Sequence, residues 1–360
     1  MNKTTSLITA CFLGLLFSNA QLYAGNPDRQ GEAGAYELLI NPWARSLGLN
    51  GLITARTTGV EALYFNPAGL GRLRNTEMMI SHTQYLVGTG MSINTAGFGQ
   101  GIGKSSTFGV SLMSVGFGDI PLTTTNQPEG IGTFRPNFFN IGLSYGHMFR
   151  DKDGREKISV GFTVRVVSEA ISNATATGIA FDGGMQYATG KYNQLKFGIA
   201  LRNIGTKMRF SGEGLSYVGM APNGTTAMTT QMRTAGFDLP SLLHIGLSYD
   251  FLINRDDSTG LSDQRITTVF NFTANSYSRD QVGLGVEYAY KEMFMARVAY
   301  KYESGMYDLN QGNVTGGLTA GMSVEVPFKK GSNRRIAFDY GFEYTRIFKG
   351  THSIGLKLSI

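Results

Sequence analysis

From about Thr76 onward, apolar and polar residues alternate with a period of two. In "RIAFDYGFEYTRI", Ile336, Phe338, Tyr340, Phe342 and Tyr344 share one face, opposite Ala337, Asp339, Gly341, Glu343 and Thr345. In "QVGLGVEYAY", Val282, Leu284, Val286, Tyr288 and Tyr290 oppose Gly283, Gly285, Glu287 and Ala289. Such a pattern places successive side chains on opposite faces of a strand. It predicts about fourteen strands, starting near Thr76, Ile93, Ser106, Asn137, Ile158, Gly178, Leu195, Leu242, Arg265, Gln281, Phe294, Val314, Arg335 and His352. Each runs about nine to twelve residues, the length a tilted strand needs to cross a bilayer. Strands of soluble proteins average about five or six.

The polar face is not that of a soluble protein. Gly, Ala and Ser recur there beside Arg165, Arg202, Asp250, Glu287, Arg297, Asp339 and Glu343. The outer face of a soluble sandwich would be rich in Lys and Glu instead. The predicted fold class is therefore all-β, a transmembrane antiparallel β-barrel of about 14 strands with its apolar faces toward lipid. An even strand number puts both barrel ends on the periplasmic side. The two longest connections, residues 116–137 and 205–240, then both fall on the extracellular side. "DKDGREK", "TGKYNQ" and "KKGSN" are the short periplasmic turns, and "NRDDSTGLSDQ" is a longer one.

Residues 1–24 read as a secretory signal: Lys3, an apolar run over residues 7–17, and cleavage candidates "SNA" and "LYA". Cys11 lies inside that run, and "FLGLLF" continues past it, which argues against lipidation. A cleaved chain would hold no cysteine. Beyond the signal no apolar run is long enough for a spanning helix. Residues 25–74 do not alternate. About forty apolar-rich residues need burial, which predicts a compact plug inside the barrel of residues 75–360. The plug ends in "ALYFNPAGLGRL". Asn66 and Pro67 form a turn-initiating pair, and Ala68, Gly69 and Gly71 leave room for bends.

The 48 glycines with 11% aromatics exclude collagen-like and disordered chains and fit turns and crowded strand faces. The net charge of +6 comes from scattered Lys and Arg, so no nucleic acid partner is expected. Candidate chemistry falls away on inspection. "GLSYG" matches a nucleophile elbow but lies inside a strand, which turns Ser144 into the lumen. "GIGKSS" lacks the first glycine of a phosphate loop. His82, His147, His244 and His352 sit on separate segments. Asp151 and Asp153 read as a charged turn, and Asp339 with Glu343 as lumen-facing carboxylates. No catalytic residue, metal or cofactor is expected.

The N-terminal segment carries a resemblance. "NPAGL" preceding a barrel resembles the FadL-like superfamily of outer-membrane transporters. The wider stretch "NPWARSLGLNGLITARTTGVEALYFNPAGL" resembles more closely the PorV/PorQ family of Bacteroidota, with Ala44, Arg45, Ser46, Gly48 and Gly51 in register. Leu49 and Asn50 depart from that family's Met-Gly, its acidic segment is reduced to Glu61, and Ile360 replaces a terminal aromatic. The PorV/PorQ resemblance implies a component of type IX protein secretion. Its partners would be the outer-membrane translocon, cargo C-terminal domains or a surface attachment complex, amid membrane lipids and lipopolysaccharide. The wider FadL-like resemblance implies instead a transporter of hydrophobic small molecules. Candidate partner-binding anchors are the apolar residues of the long connections: Phe117, Ile120, Phe134, Met208, Phe210, Tyr217 and Met220.

Overall fold

The computed structural model describes residues 25–151, 154–255, 262–308, 314–328 and 334–360. The proposed signal segment with Cys11, the turn residue Asp153 and most of "NRDDSTGLSDQ" and "KKGSN" lie outside the described residues.

The strands follow the alternating segments closely. They are β1 (Thr76–Gln84), β2 (Ser92–Ile102), β3 (Ser106–Gly116), β4 (Ile120–Thr124), β5 (Gln127–Phe134) and β6 (Asn137–Arg150). Then come β7 (Glu156–Ile171), β8 (Ala174–Thr189), β9 (Leu195–Gly205), β10 (Ser216–Met220), β11 (Ala227–Gln231) and β12 (Leu242–Arg255). The last are β13 (Ser262–Asn275), β14 (Gln281–Tyr290), β15 (Phe294–Glu303), β16 (Thr315–Pro327), β17 (Arg335–Thr345) and β18 (Thr351–Ser359).

Fourteen of these form one closed antiparallel barrel, each paired with its neighbour in the chain and β1 closing onto β18. The predicted faces are the observed ones: Phe338 and Tyr344 point outward, while Ala337, Asp339, Gly341 and Thr345 point into a buried lumen. Closure pairs every edge, the condition for a sheet in lipid.

The remaining four strands lie in the two long connections. Each folds into its own two-stranded hairpin, β4–β5 and β10–β11, beside the barrel sheet. Both lie at the end reached by β3 and β9, which long-loop placement marks as extracellular. The connection between β12 and β13 is shorter than "NRDDSTGLSDQ" predicts, because both strands run further than the alternation.

From Ala33 the segment up to residue 74 sits in the lumen as short helical turns joined by bends, among them Ala44–Leu47, Ala62–Phe65 and Pro67–Arg72, while residues 28–32, expected in the plug, are largely exposed at the mouth. Their apolar side chains, Leu38, Trp43, Leu52, Val60, Leu63 and Leu70, form one buried cluster with inward wall residues Met79, Ile93, Met113, Val115, Phe138 and Val167. The plug has no helix of useful length, so burial rather than local propensity holds it together.

Candidate functional site

The plug is seated on rows of glycine. Gly146, Gly161 and Gly184 are cross-strand neighbours on β6, β7 and β8. The segment 66–71 lies across them. A β-carbon on Gly146 would overlap the backbone of Gly71, one on Gly161 the carbonyl of Pro67, and one on Gly184 the side chain of Asn66. Gly198 and Gly246, paired between β9 and β12, receive Thr54 and Ala55 in the same way. Gly321 and Gly341, paired between β16 and β17, receive Gly48 and Ala44. The glycines of the polar face are there because plug backbone presses directly on the wall.

Polar contacts fix the register of this seat. Asn66 is fully buried; its amide donates to the carbonyl of Thr54 (2.8 Å) and reaches the Met185 carbonyl of β8 (3.3 Å). Its Oδ1 accepts from the Ala68 N–H (3.1 Å), which starts the turn beginning at Pro67. Gln186 donates to the carbonyls of Thr54 (3.1 Å) and Thr57 (2.9 Å) and accepts from Arg72 (3.1 Å). Glu77 accepts from the Val60 N–H at 2.7 Å. The bonds to Thr54, Thr57, Val60 and Ala68 satisfy buried plug backbone groups.

Toward the periplasmic end the lumen turns charged. A polar cavity of about 250 Å³ lies between plug residues Arg45, Ser46, Arg56, Thr57 and Glu61 and wall residues Lys196, Asp250, Arg265, Glu287 and Arg297. Glu287 is the hub, paired with Arg56 (2.9 Å), Arg265 (2.9 Å) and Arg297 (2.5 Å). Burial raises the Glu61 carboxyl above its ordinary value, and the neighbouring Arg45 opposes that rise.

Toward the extracellular end apolar side chains line the mouth beside the charged groups Glu37, Glu169, Lys301 and Glu343. Ile40, Tyr85, Met91, Phe117, Phe210 and Phe237 are half-buried against the plug cluster. The base of the β9–β12 connection folds down over the plug. Met208 and Phe237 exchange backbone hydrogen bonds of 2.9 Å, and Gly34 N–H donates to the Asp238 carbonyl at 3.0 Å. The tip rises away as β10–β11.

The seven proposed anchors therefore divide. Met208 is 0% exposed, against Gly178. Phe210 stacks near Phe237 with ring centroids 5.8 Å apart, and Phe117 packs on the plug cluster. These three pack at the mouth, Met208 fully buried and Phe117 and Phe210 half-buried. Ile120 and Phe134 are cross-strand partners at the foot of β4–β5. Tyr217 and Met220 stand out from β10–β11 at 50% and 62% exposure, joined by Val218 at 75%. Of the plug motif, Asn66, Pro67, Ala68 and Gly69 are all buried against wall or plug.

Ser144 is buried and bonded to Thr163 at 2.7 Å, as its strand position implies. Among the described residues no group of His, Cys, Asp and Glu could hold a metal. Sequence reasoning passed over Gln186 and Glu77 as functional positions. Both are long polar side chains on lumen-facing positions otherwise filled by small residues, and that contrast was the available signal.

No known family profile matches the sequence, and no curated protein matches it. Solved structures do. The Pseudomonas putida toluene transporter TodX matches with a TM-score of 0.55 at 13% identity, covering 88% of this chain and 96% of TodX. The CymD monoaromatic hydrocarbon channel matches with a TM-score of 0.53 at 13% identity, covering 89% of this chain and 97% of CymD. The likeness is one of fold, here a closed 14-stranded antiparallel barrel.

Proposed function

We propose that the protein passes apolar small molecules into or across the outer membrane. The observation that carries this reading is the polarity of the lumen. Its extracellular half gathers the aromatic and Met side chains of Tyr85, Met91, Phe117, Phe210 and Phe237 over an apolar plug, with Glu169, Lys301 and Glu343 beside them, and its periplasmic half is lined mainly by charged and polar groups. An apolar compound arriving from outside gains by leaving water at this mouth. The plug closes the straight route, so passage requires the plug to shift or the wall to part. The architecture shared with two proteins that carry monoaromatic compounds supports the same reading. This reverses the order suggested by the N-terminal resemblance, which placed secretion first.

The test is uptake of labelled toluene by cells with and without the barrel. Faster uptake with the barrel, slowed by replacing Phe117 and Phe237 with Asp, is the expected result. Equal uptake in both strains rejects the channel.

A second reading, a docking component of type IX secretion, is favoured by one observation. The β10–β11 hairpin holds Tyr217, Val218, Met220 and Met228 exposed and away from the lumen, where they serve no passing solute. Exposed apolar side chains of this kind mark protein contact. Affinity purification from native membranes separates the readings, since only docking requires co-purified translocon or cargo chains.

A further inference from the structure

We propose that the periplasmic-side cavity under the plug is a binding site for a zwitterionic α-amino acid with an apolar side chain. Around the cavity the charges of the wall are mutually satisfied. Glu287 holds three arginines, and Asp250 is paired with Lys196. The plug's contribution differs. Arg45 donates no hydrogen bond and forms no ion pair among the described residues, although it lines the cavity. Glu61 is only 7% exposed, and its Oε1 has no hydrogen-bond partner. Thr57, 2% exposed, leaves its hydroxyl equally unpartnered. Arg45 and the second oxygen of Glu61 thus face one space without partners, while Glu61 Oε1 and the Thr57 hydroxyl are closed off behind it.

Buried polar groups without partners are rare, and several lining one cavity point to a ligand or ordered water that supplies them. A zwitterion does so with a single molecule. Its carboxylate would pair with Arg45 in the forked geometry guanidinium favours. Its ammonium would donate to Glu61. The Leu49 and Ile53 side chains, which also line the cavity, would pack on an aliphatic side chain. The volume of about 250 Å³ suits a small molecule rather than a peptide. Because the ligand adds no net charge, it leaves the balance of the wall network undisturbed. The site opens toward the periplasm and stands apart from the apolar mouth, so it does not rest on the channel reading.

Trp43, the chain's single tryptophan, precedes Arg45 and is buried in the plug, so its emission reports on this region. The detergent-solubilised full barrel is titrated with leucine, N-acetylleucine and leucine amide, following Trp43 fluorescence and calorimetric heat. Leucine should bind, and the two blocked forms should bind at least about tenfold more weakly, since each lacks one charged hydrogen bond. Arg45→Gln and Glu61→Gln should each lower leucine affinity by about tenfold or more while retaining the heat-modifiable gel mobility of the folded barrel. If a variant loses that mobility, the comparison of the three ligands on the wild-type protein decides alone. No saturable signal with leucine up to roughly 10 mM, or equal binding of all three ligands, overturns the proposal and leaves the cavity to water.

Discussion

Asn66 of the plug and Gly184 of β8 occupy positions that exclude any larger residue at 184. The Asn66 Oδ1 lies where a β-carbon would stand. The adjacent Gly183 has open space in the corresponding direction. Gly184→Ala should therefore displace the plug and destabilise the barrel by about 1–3 kcal/mol, as overpacking does. Gly183→Ala should stay within about 0.5 kcal/mol. The denaturant midpoint of heat-modifiable mobility measures both, and equal effects at the two positions would refute the glycine seat.

The same contact shows what the sequence made legible and what it hid. The register of each strand was readable because a period of two survives wherever one face meets lipid. Phe338 and Asp339, or Phe197 and Gly198, declare their sides by chemistry alone. The position of the plug was not readable, because a chain of short turns has no period. The alternation identified Gly146, Gly161 and Gly184 as lumen-facing but gave no reason for their being glycine. That reason is a backbone from a distant part of the chain. The hairpins in the long connections escaped for a different cause. β10 and β11 have no buried face, so no hydrophobic pattern marks them.

Asn66→Ala should cost about 1–3 kcal/mol, because it takes the acceptor from the buried Ala68 N–H and one of two donors from the Thr54 carbonyl. Gln186→Ala, which leaves the Thr57 carbonyl without its side-chain donor and Thr54 with Asn66 alone, belongs in the same range. Combined, the two should exceed additivity, since only the double variant leaves the Thr54 carbonyl without either donor. A strictly additive double variant would show that the two side chains hold the plug independently.

Trypsin should spare the plug of the folded barrel. Arg56 is held by Glu287, and Arg72 is held by Gln186. Both peptide bonds lie in backbone packed against the wall, which a protease cannot bind in extended form. Rapid cleavage after either residue, with the barrel still heat-modifiable, would mean that the plug leaves the lumen readily.

Leu143 on β6 faces lipid, and Ser144 beside it faces the lumen. Leu143 stands at the middle of β6, so Leu143→Arg should cost about 2–4 kcal/mol. Ser144→Ala removes one hydrogen bond to Thr163 and should cost about 1 kcal/mol. Reversal of that order in folding titrations into lipid vesicles would place the wrong face outward.

The anchors of the long β9–β12 connection should separate by role. Met208 is buried at its base, where it packs on Gly178 and hydrogen-bonds through its backbone to Phe237. Tyr217 and Met220 stand free on the hairpin above. Met208→Ala opens a cavity and should destabilise by about 2–5 kcal/mol, less if the loop settles into the space. Tyr217→Ala with Met220→Ala should leave stability within about 0.5 kcal/mol, since neither side chain packs on the barrel. Any loss in the double variant must then lie in what the hairpin touches outside the molecule. Capture of partner chains from native membranes is the readout. Capture lost in the double variant assigns the hairpin to docking. Capture kept there but lost on Met208→Ala would mean that the partner reads the shape of the mouth instead. If neither variant changes partner capture but both slow toluene uptake, the connection serves the passing solute.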